Sequence, residues 1–334
     1  MNSRVLRGVA IAALIFLLVQ LGSLALVPTF FDQGYQTVED PTNPTNSLVY
    51  IGAILVATAL MLAAFRYDFE QAVRAVVLLS SVMLSWYVFS AILPSPVLAV
   101  VLAVGVGAAL FLYPEWYVID TAGVLMGASA GGLFGISFGL LPAILLLSVL
   151  AVYDAISVYG TEHMLDLAEG VMDLRIPVVL VVPLSLSYSL LDDDFGGAAD
   201  VHEEAAEGGA NGETATEVDG ETATEAVADG AAERDAFFIG LGDAVMPSVM
   251  VASAAFFSPA ESLGVGWLPA LNLPALTSMI GVFAGLGVLL WAVMKGRAHA
   301  GLPLLNGGAI GGYLVGSLAA GVPVVQALGL AQYL

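Results

Sequence analysis

Long apolar runs separated by short polar links dominate the chain. Nine of these runs have about the length that a helix needs to cross the hydrocarbon core of a bilayer, roughly 20 residues at 1.5 Å each. The pattern therefore predicts an all-α membrane protein with nine transmembrane helices. The predicted spans are 9–29, 47–66, 72–92, 96–113, 118–138, 141–160, 235–257, 273–294 and 301–320.

The start of the chain has the pattern of a secretion signal that is kept as a membrane anchor. Arg4 and Arg7 precede the first apolar run, as basic residues do in signal peptides. The run then continues to Phe31 without a clear small-residue cleavage site. We therefore expect a retained signal-anchor helix.

The segment 176–183 departs from the helical pattern. It reads Ile-Pro-Val-Val-Leu-Val-Val-Pro, a β-branched run between two prolines. The run is too short to span a bilayer, and its prolines are unsuited to the interior of a helix. It predicts a strand, with an ordinary loop at the membrane surface as the alternative.

The composition supports a membrane location and excludes several kinds of chemistry. Of the 334 residues, 59% are hydrophobic and only 11% are charged, which is far more apolar than a soluble domain of this size. The chain has no Cys, which excludes disulfides and thiolate catalysis. The His residues, His163, His202 and His299, lie in three separate polar segments, so we expect no metal site.

Acidic residues are concentrated in one loop. The net charge is −21, and 15 of the 29 acids lie at 192–235. This stretch repeats Gly-Glu-Thr-Ala-Thr-Glu at 212–217 and 220–225 and lacks the apolar residues that would offset the entropy of folding. It predicts a disordered cytoplasmic loop, which serves either as a solvated linker or as an acidic partner-binding segment. The chain has 29 acidic residues and a single Lys, which also fits an organism with a salt-rich cytoplasm.

The predicted divisions of the chain are 1–190 with helices one to six and the strand, 191–234 with the acidic loop, and 235–334 with helices seven to nine.

The basic residues predict the orientation in the membrane, because cytoplasmic links are enriched in Lys and Arg. With nine spans and a cytoplasmic N-terminus, all eight basic residues fall on the cytoplasmic side and the C-terminus is external. We therefore expect a multi-pass protein of the cell membrane. The eight residues are Arg4, Arg7, Arg66, Arg74, Arg175, Arg234, Lys295 and Arg297.

Two aspartates fall inside the predicted spans. A charge at the centre of a bilayer costs at least about 2.5 kcal/mol, so an ionisable residue in a span is a candidate for function. Asp154 lies about 9 Å, and Asp243 about 12 Å, from the cytoplasmic ends of predicted helices six and seven. Gly240 and Gly242 would let these two helices approach closely. We therefore expect the two carboxylates to lie side by side.

Two neighbouring carboxyl groups have a characteristic chemistry. A few ångströms apart, they hold one proton between them. The ionised group then takes a proton from water while the protonated group polarises a peptide carbonyl, as in aspartic proteases. A proton-coupled transporter would also use paired acids, although the sequence shows no pair of corresponding halves. A noncatalytic membrane assembly protein is the third interpretation.

Several motifs resemble those of the presenilin and signal peptide peptidase family. They are Tyr153-Asp154 in one predicted helix, Gly240-Leu-Gly-Asp243 in the next, and a Pro-containing segment at the start of a late helix. Together with the nine-span layout, Tyr-Pro-Glu-Trp-Tyr at 113–117 and Gly-Leu-Pro-Leu-Leu-Asn-Gly-Gly at 301–308 most resemble archaeal presenilin homologues. The resemblance covers the chain except for the acidic loop.

The resemblance implies an intramembrane aspartyl protease with Asp154 and Asp243 as its catalytic pair and with no cofactor. The family's Pro-Ala-Leu motif occurs literally at 269–271 and 274–276, but both copies lie on the outer side of the predicted topology. The match by position is 303–305, where Leu304 replaces the usual Ala. The residues that the resemblance implies for lining the site or positioning substrate are Tyr153, Gly240, Leu241, Gly242, Pro303, Leu304 and Leu305. For Tyr153, packing or anchoring at the membrane interface is the alternative.

The resemblance also implies the substrates. They would be single-span membrane proteins or signal-peptide-like segments cleaved within the bilayer, and nucleic acid would play no part. The region that contains 176–183 would pair with an unwound strand of substrate. Glu115 and Asp120 flank the cytoplasmic start of predicted helix five, where solvent or headgroups accommodate charge, so we expect no chemical role for them.

Overall fold

The computed structural model describes residues 3–67, 69–160, 177–185, 188–191, 236–295 and 300–333. The predicted acidic loop lies almost entirely outside these residues. The described elements are, in chain order, α1 (Ser3–Asp32), α2 (Thr45–Arg66), α3 (Glu70–Ile92), α4 (Pro96–Leu112), α5 (Trp116–Ser137), α6 (Leu140–Gly160), β1 (Val179–Pro183), β2 (Ala236–Gly240), α7 (Leu241–Phe257), α8 (Leu273–Val293), α9 (Gly301–Ala319) and α10 (Val324–Ala327).

Seven of the described helices are long and apolar enough to cross a membrane, namely α1, α2, α3, α5, α6, α8 and α9. Helices α4 and α7 are apolar but shorter, with 17 residues each. The chain is therefore a mostly helical, multi-pass membrane protein. The count of nine spans and their orientation stay predictions.

The predicted start of helix seven is wrong. Residues 236–240 form strand β2, which pairs antiparallel with β1, from Val179 opposite Gly240 to Pro183 opposite Ala236. The sequence Ala-Phe-Phe-Ile-Gly contains the aromatic and β-branched residues that fit a strand, but its apolar character merged with the helix that follows. The strand predicted at 176–183 is confirmed for 179–183.

Helix α7 forms the centre of the bundle, where it packs against α1, α5, α6, α8 and α9. Its residues Ala244 and Val249 to Ala252 are almost fully buried. Small residues allow close approach, since Ala252 lies directly against the Cα of Gly135 on α5. Helix α2 lies at the periphery and leaves most of its length uncovered.

The two ends of the bundle differ. At one end Gln332 and Tyr333 each donate a hydrogen bond of 3.3 Å to the carbonyl of Thr42, so the link between α1 and α2 and the last residues lie together. At the other end the two-stranded sheet begins against apolar residues of α2 and α3, including Phe65 and Val73. We call this second end the sheet end. The basic residues predict that it faces the cytoplasm.

Candidate functional site

Asp154 lies on α6 close to the sheet end and is only 7% exposed. Its Oδ2 accepts a hydrogen bond of 3.0 Å from the backbone N–H of Leu302. Leu302 is the second residue of α9, and the first amides of a helix have no partner within the helix. The carboxylate of Asp154 therefore satisfies one of the free amides at the start of α9.

Asp243 lies in the first turn of α7, close to the end of strand β2. The N-terminus of a helix favours a nearby negative charge. A Cβ placed on Gly301 would lie 3.1 Å from both carboxylate oxygens of Asp243, so the carboxylate rests against the backbone of Gly301. The absence of a side chain at Gly301 makes room for it.

The two carboxylates thus meet at consecutive residues of α9. Asp154 bonds to Leu302, Asp243 contacts Gly301, and the two acids interact electrostatically with each other. Three helices, α6, α7 and α9, build this arrangement from residues that are far apart in sequence. It provides two adjacent carboxyl groups at the sheet end of the bundle.

The glycines around Asp243 have different surroundings. A Cβ on Gly240 would lie 3.7 Å from Asp243 Oδ2, an ordinary contact, whereas Gly242 faces open space. Between them, Leu241 is nearly buried and its N–H donates a 2.7 Å hydrogen bond to the carbonyl of Val178. This bond extends the sheet by one residue and ties the start of α7 to the start of β1.

The segment 303–305 lies beside the carboxylates, but the contacts come from the two residues before it. Sequence reasoning did not identify Gly301 and Leu302. A glycine at the start of a helix, where the first N–H groups are free to bind an anion, is the signal that could have identified them. The carbonyl of Leu304 instead packs directly against Gly285 of α8, and Leu305 is fully buried. Roles for 303–305 in positioning substrate stay predictions.

The side chain of Tyr153 does not join the buried part of the site. It is 43% exposed, although the next residue, Asp154, is buried. Adjacent residues on a helix point in directions about 100° apart, which explains the difference. A role for Tyr153 in lining the site stays a prediction.

The expectation that solvent accommodates Glu115 and Asp120 is wrong, because the two side chains are 4% and 7% exposed. Glu115 accepts hydrogen bonds from the hydroxyl of Ser189 at 2.7 Å and the N–H of Leu190 at 3.0 Å. Burial alone would raise the pKa of Glu115, but these bonds and that from the N–H of Trp116 hold it below its ordinary value. Described residues that follow α6, in β1 and at 189–190, therefore cover both acids.

A surface cavity of about 440 Å³ lies elsewhere, lined by residues that include Pro259, Glu261, Val322 and Gln326. Its lining comes from the link between α7 and α8 and from the segment after α9. None of its lining residues belongs to the carboxylate pair. Geometry and chemistry together favour the pair, and not this cavity, as the functional site.

Fold and site define a multi-pass membrane protein with two adjacent carboxyl groups. A family model described as signal-peptide peptidase, presenilin aspartyl protease matches residues 13–322, and the chain belongs to this family. The family and its structural neighbours are described as aspartate proteases, so the chain is an aspartic endopeptidase.

Two solved structures, each described as a presenilin family intramembrane aspartate protease, are similar to the chain. The one in space group C222 has 31% identity and a TM-score of 0.60, and the match covers 93% of this chain and 99% of the other. The one in space group P2 has 31% identity and a TM-score of 0.57, with 92% and 96% covered. A comparison with curated proteins found no match.

Proposed function

We propose that Asp154 and Asp243 are the catalytic pair and that they hydrolyse peptide bonds of membrane-spanning substrates. The observation that carries this proposal is the meeting of the two carboxylates at Gly301 and Leu302. Of the described acids, these two lie on different helices and contact consecutive residues of a third. The family's aspartic chemistry needs two carboxyl groups at one place.

The reaction follows from one proton shared by the pair. The ionised carboxylate removes a proton from a water molecule, whose oxygen attacks the carbonyl carbon of the scissile bond. The protonated carboxyl group donates its proton to the carbonyl oxygen, which gives a neutral tetrahedral diol. Proton transfer to the leaving nitrogen then breaks the C–N bond, so no covalent enzyme intermediate forms.

Helical peptide bonds are shielded, so the substrate has to unwind before it reaches the carboxylates. The sheet supports the idea that an unwound segment adds to it as a strand, because β2 ends at Gly240, three residues before Asp243. Suitable substrates are single-span proteins or signal-peptide-like segments of the cell membrane. Cleavage would occur near the cytoplasmic side, where the basic residues place the sheet end.

The test uses purified enzyme in liposomes with a labelled single-span substrate, and mass spectrometry of the products. Asp154→Asn and Asp243→Asn each remove an acid without changing the size of the side chain, and each should lower kcat by at least about 10³-fold. Both variants should keep the wild-type melting temperature to within a few degrees. The wild-type rate should show a bell-shaped pH dependence, because the pair has to carry one proton.

Asp32→Asn is the matched control, since Asp32 is exposed at the end of α1, near the opposite end of the bundle. This variant should cleave at the wild-type rate. Cleavage at the wild-type rate by either site variant, with contaminating proteases excluded, would refute the proposed pair.

A further inference from the structure

Asp120 is a buried acid that the proposed reaction does not use. It lies on α5, one turn into the helix, and its Oδ1 accepts a hydrogen bond of 2.8 Å from the N–H of Val181 in β1. Its Oδ2 is buried and has no hydrogen-bond partner among the described residues. A buried polar group without a partner is unfavourable, so an apolar residue would serve packing alone better. The bond to β1 is the role that accounts for an acceptor oxygen at this position.

Asp120 accepts its hydrogen bond from the outer edge of β1, which is the edge that faces away from β2. In an antiparallel pair, alternate residues direct their N–H and C=O groups to the partner strand. The bond from the N–H of Leu241 to the carbonyl of Val178 marks one such position, so Leu180 and Val182 also face β2. Val181 therefore faces away from β2, which is the side on which Asp120 lies.

Two of the three N–H positions on this outer edge are not available to a further strand. Asp120 occupies the N–H of Val181, and Pro183 has no N–H to offer. Val179 belongs to an apolar cluster with Phe65 of α2 and Val73 of α3. An additional strand therefore finds no row of free donors on this side of β1.

The position of β1 determines the position of Asp243, because β2 connects the two. β1 pairs with β2 over five residues, and β2 continues without a break into α7, which carries Asp243 in its first turn. Glu115, directly before α5, binds the chain at a second point after β1, where it accepts hydrogen bonds from Ser189 and Leu190. The first residues of α5 thus anchor the segment that supports one of the two carboxylates.

We infer that Asp120 is a positioning residue for the proposed reaction. By accepting the N–H of Val181 it blocks the outer edge of β1, so that a substrate strand is left with the edge of β2, the strand that leads into α7 and Asp243. It also holds the sheet, and with it Asp243, at the distance that the reaction needs. This inference rests on the proposed function, and the role requires an acceptor oxygen but no charge.

The test compares Asp120→Leu, which has no acceptor, with Asp120→Asn, which keeps one in the same place. We expect Asp120→Leu to lower kcat by at least about tenfold with little change in KM, because it displaces a catalytic group without removing it. Its products should show additional cleavage sites by mass spectrometry. Asp120→Asn should restore most of the rate and the single set of products. Thr121→Ala is the control, since Thr121 is exposed and its hydroxyl donates to the carbonyl of Tyr117 within α5.

The outcomes separate this inference from the proposed function. If Asp154→Asn cleaves in the same assay, the proposed pair is wrong whatever Asp120 does. If Asp154→Asn is inactive but Asp120→Leu matches the wild type in kcat and in products, the inference is wrong. A loss in Asp120→Asn as large as that in Asp120→Leu would overturn it too, because the charge and not the acceptor would then matter.

A failure to fold is also decisive. Asp120→Ala removes the same acceptor without the bulk of Leu, so it replaces Asp120→Leu if that variant does not accumulate. If both apolar variants fail to fold while Asp120→Asn folds, Asp120 is needed for folding and the positioning role is wrong. Hydrogen exchange of 178–183 in the folded variants should be faster without the acceptor than with it.

Discussion

Gly301→Ala adds one methyl group at the point where the two carboxylates meet. The new Cβ would lie 3.1 Å from both oxygens of Asp243 and 3.2 Å from its Cγ. An ordinary contact begins at 3.4 Å, so 3.4 − 3.1 gives a displacement of at least 0.3 Å. The adjacent Leu302 donates to Asp154, so a shift of the α9 start also changes that hydrogen bond. One methyl group therefore disturbs both carboxylates.

We expect Gly301→Ala to lower kcat by about 10- to 100-fold, since a displacement of the order of 1 Å at a reacting group costs about 10²-fold. Stability should not fall, because Gly301 does not have a positive φ and Ala is favoured over Gly in a helix by up to about 1 kcal/mol. The assay measures kcat and KM with a labelled single-span substrate, together with the melting temperature. Gly307→Ala is the control, since Gly307 lies on the same helix and faces open space.

Cleavage by Gly301→Ala within about twofold of the wild-type rate would show that the contact with Asp243 does not position a reacting group, since that difference is below the expected loss. An equal loss of activity in Gly307→Ala and Gly301→Ala would show the same. In that case added helix propensity, and not the contact with Asp243, would explain the loss. Equal melting temperatures with unequal kcat values are the expected result.

Two further predictions concern the helix pair α8 and α9 and the orientation of the chain. A Cβ on Gly281 would fall on the carbonyl of Gly308, whereas Gly287 of the same helix faces open space. Gly281→Ala should therefore destabilise the protein by about 1–3 kcal/mol and lower its melting temperature, while Gly287→Ala should not. Because the chain has no Cys, single Cys residues report orientation directly. An impermeant reagent should label Asn43→Cys from outside intact cells but not Lys295→Cys, and labelling of Lys295→Cys from outside would reverse the predicted topology.

The helices could be predicted from the sequence because their apolar runs are long. The predicted span 47–66 and the observed Thr45–Arg66 end at the same residue, and 96–113 differs from Pro96–Leu112 by one. In contrast, the apolar pattern predicts a helix for 236–240, because an apolar run does not show where a strand stops and a helix starts. The partner strand 179–183 decides this conformation, and it lies far away in the sequence.

Part of the candidate site could also be predicted from the sequence. Asp154 and Asp243 stand out because ionisable residues are rare within membrane spans. The burial of Glu115 and Asp120 could not be predicted, because an acid near the start of a helix ordinarily reaches water. Here the backbone N–H groups of Val181 and Leu190, which follow α6 in the chain, lie over the start of α5 and donate to Asp120 and Glu115. That arrangement is a tertiary contact without a local signal.

The position of Leu302 depends on contacts well beyond the carboxylates. Asn306, one turn further along α9, is fully buried and its Nδ2 donates a 3.0 Å hydrogen bond to the carbonyl of Leu147 on α6. On the other side, the carbonyl of Leu304 packs directly against Gly285 of α8. These two contacts hold α9 along its axis against both neighbours, so they set where the amide of Leu302 meets Asp154. Because the reaction tolerates little displacement of its carboxyl groups, changes at these contacts should lower kcat as well as the stability of the protein.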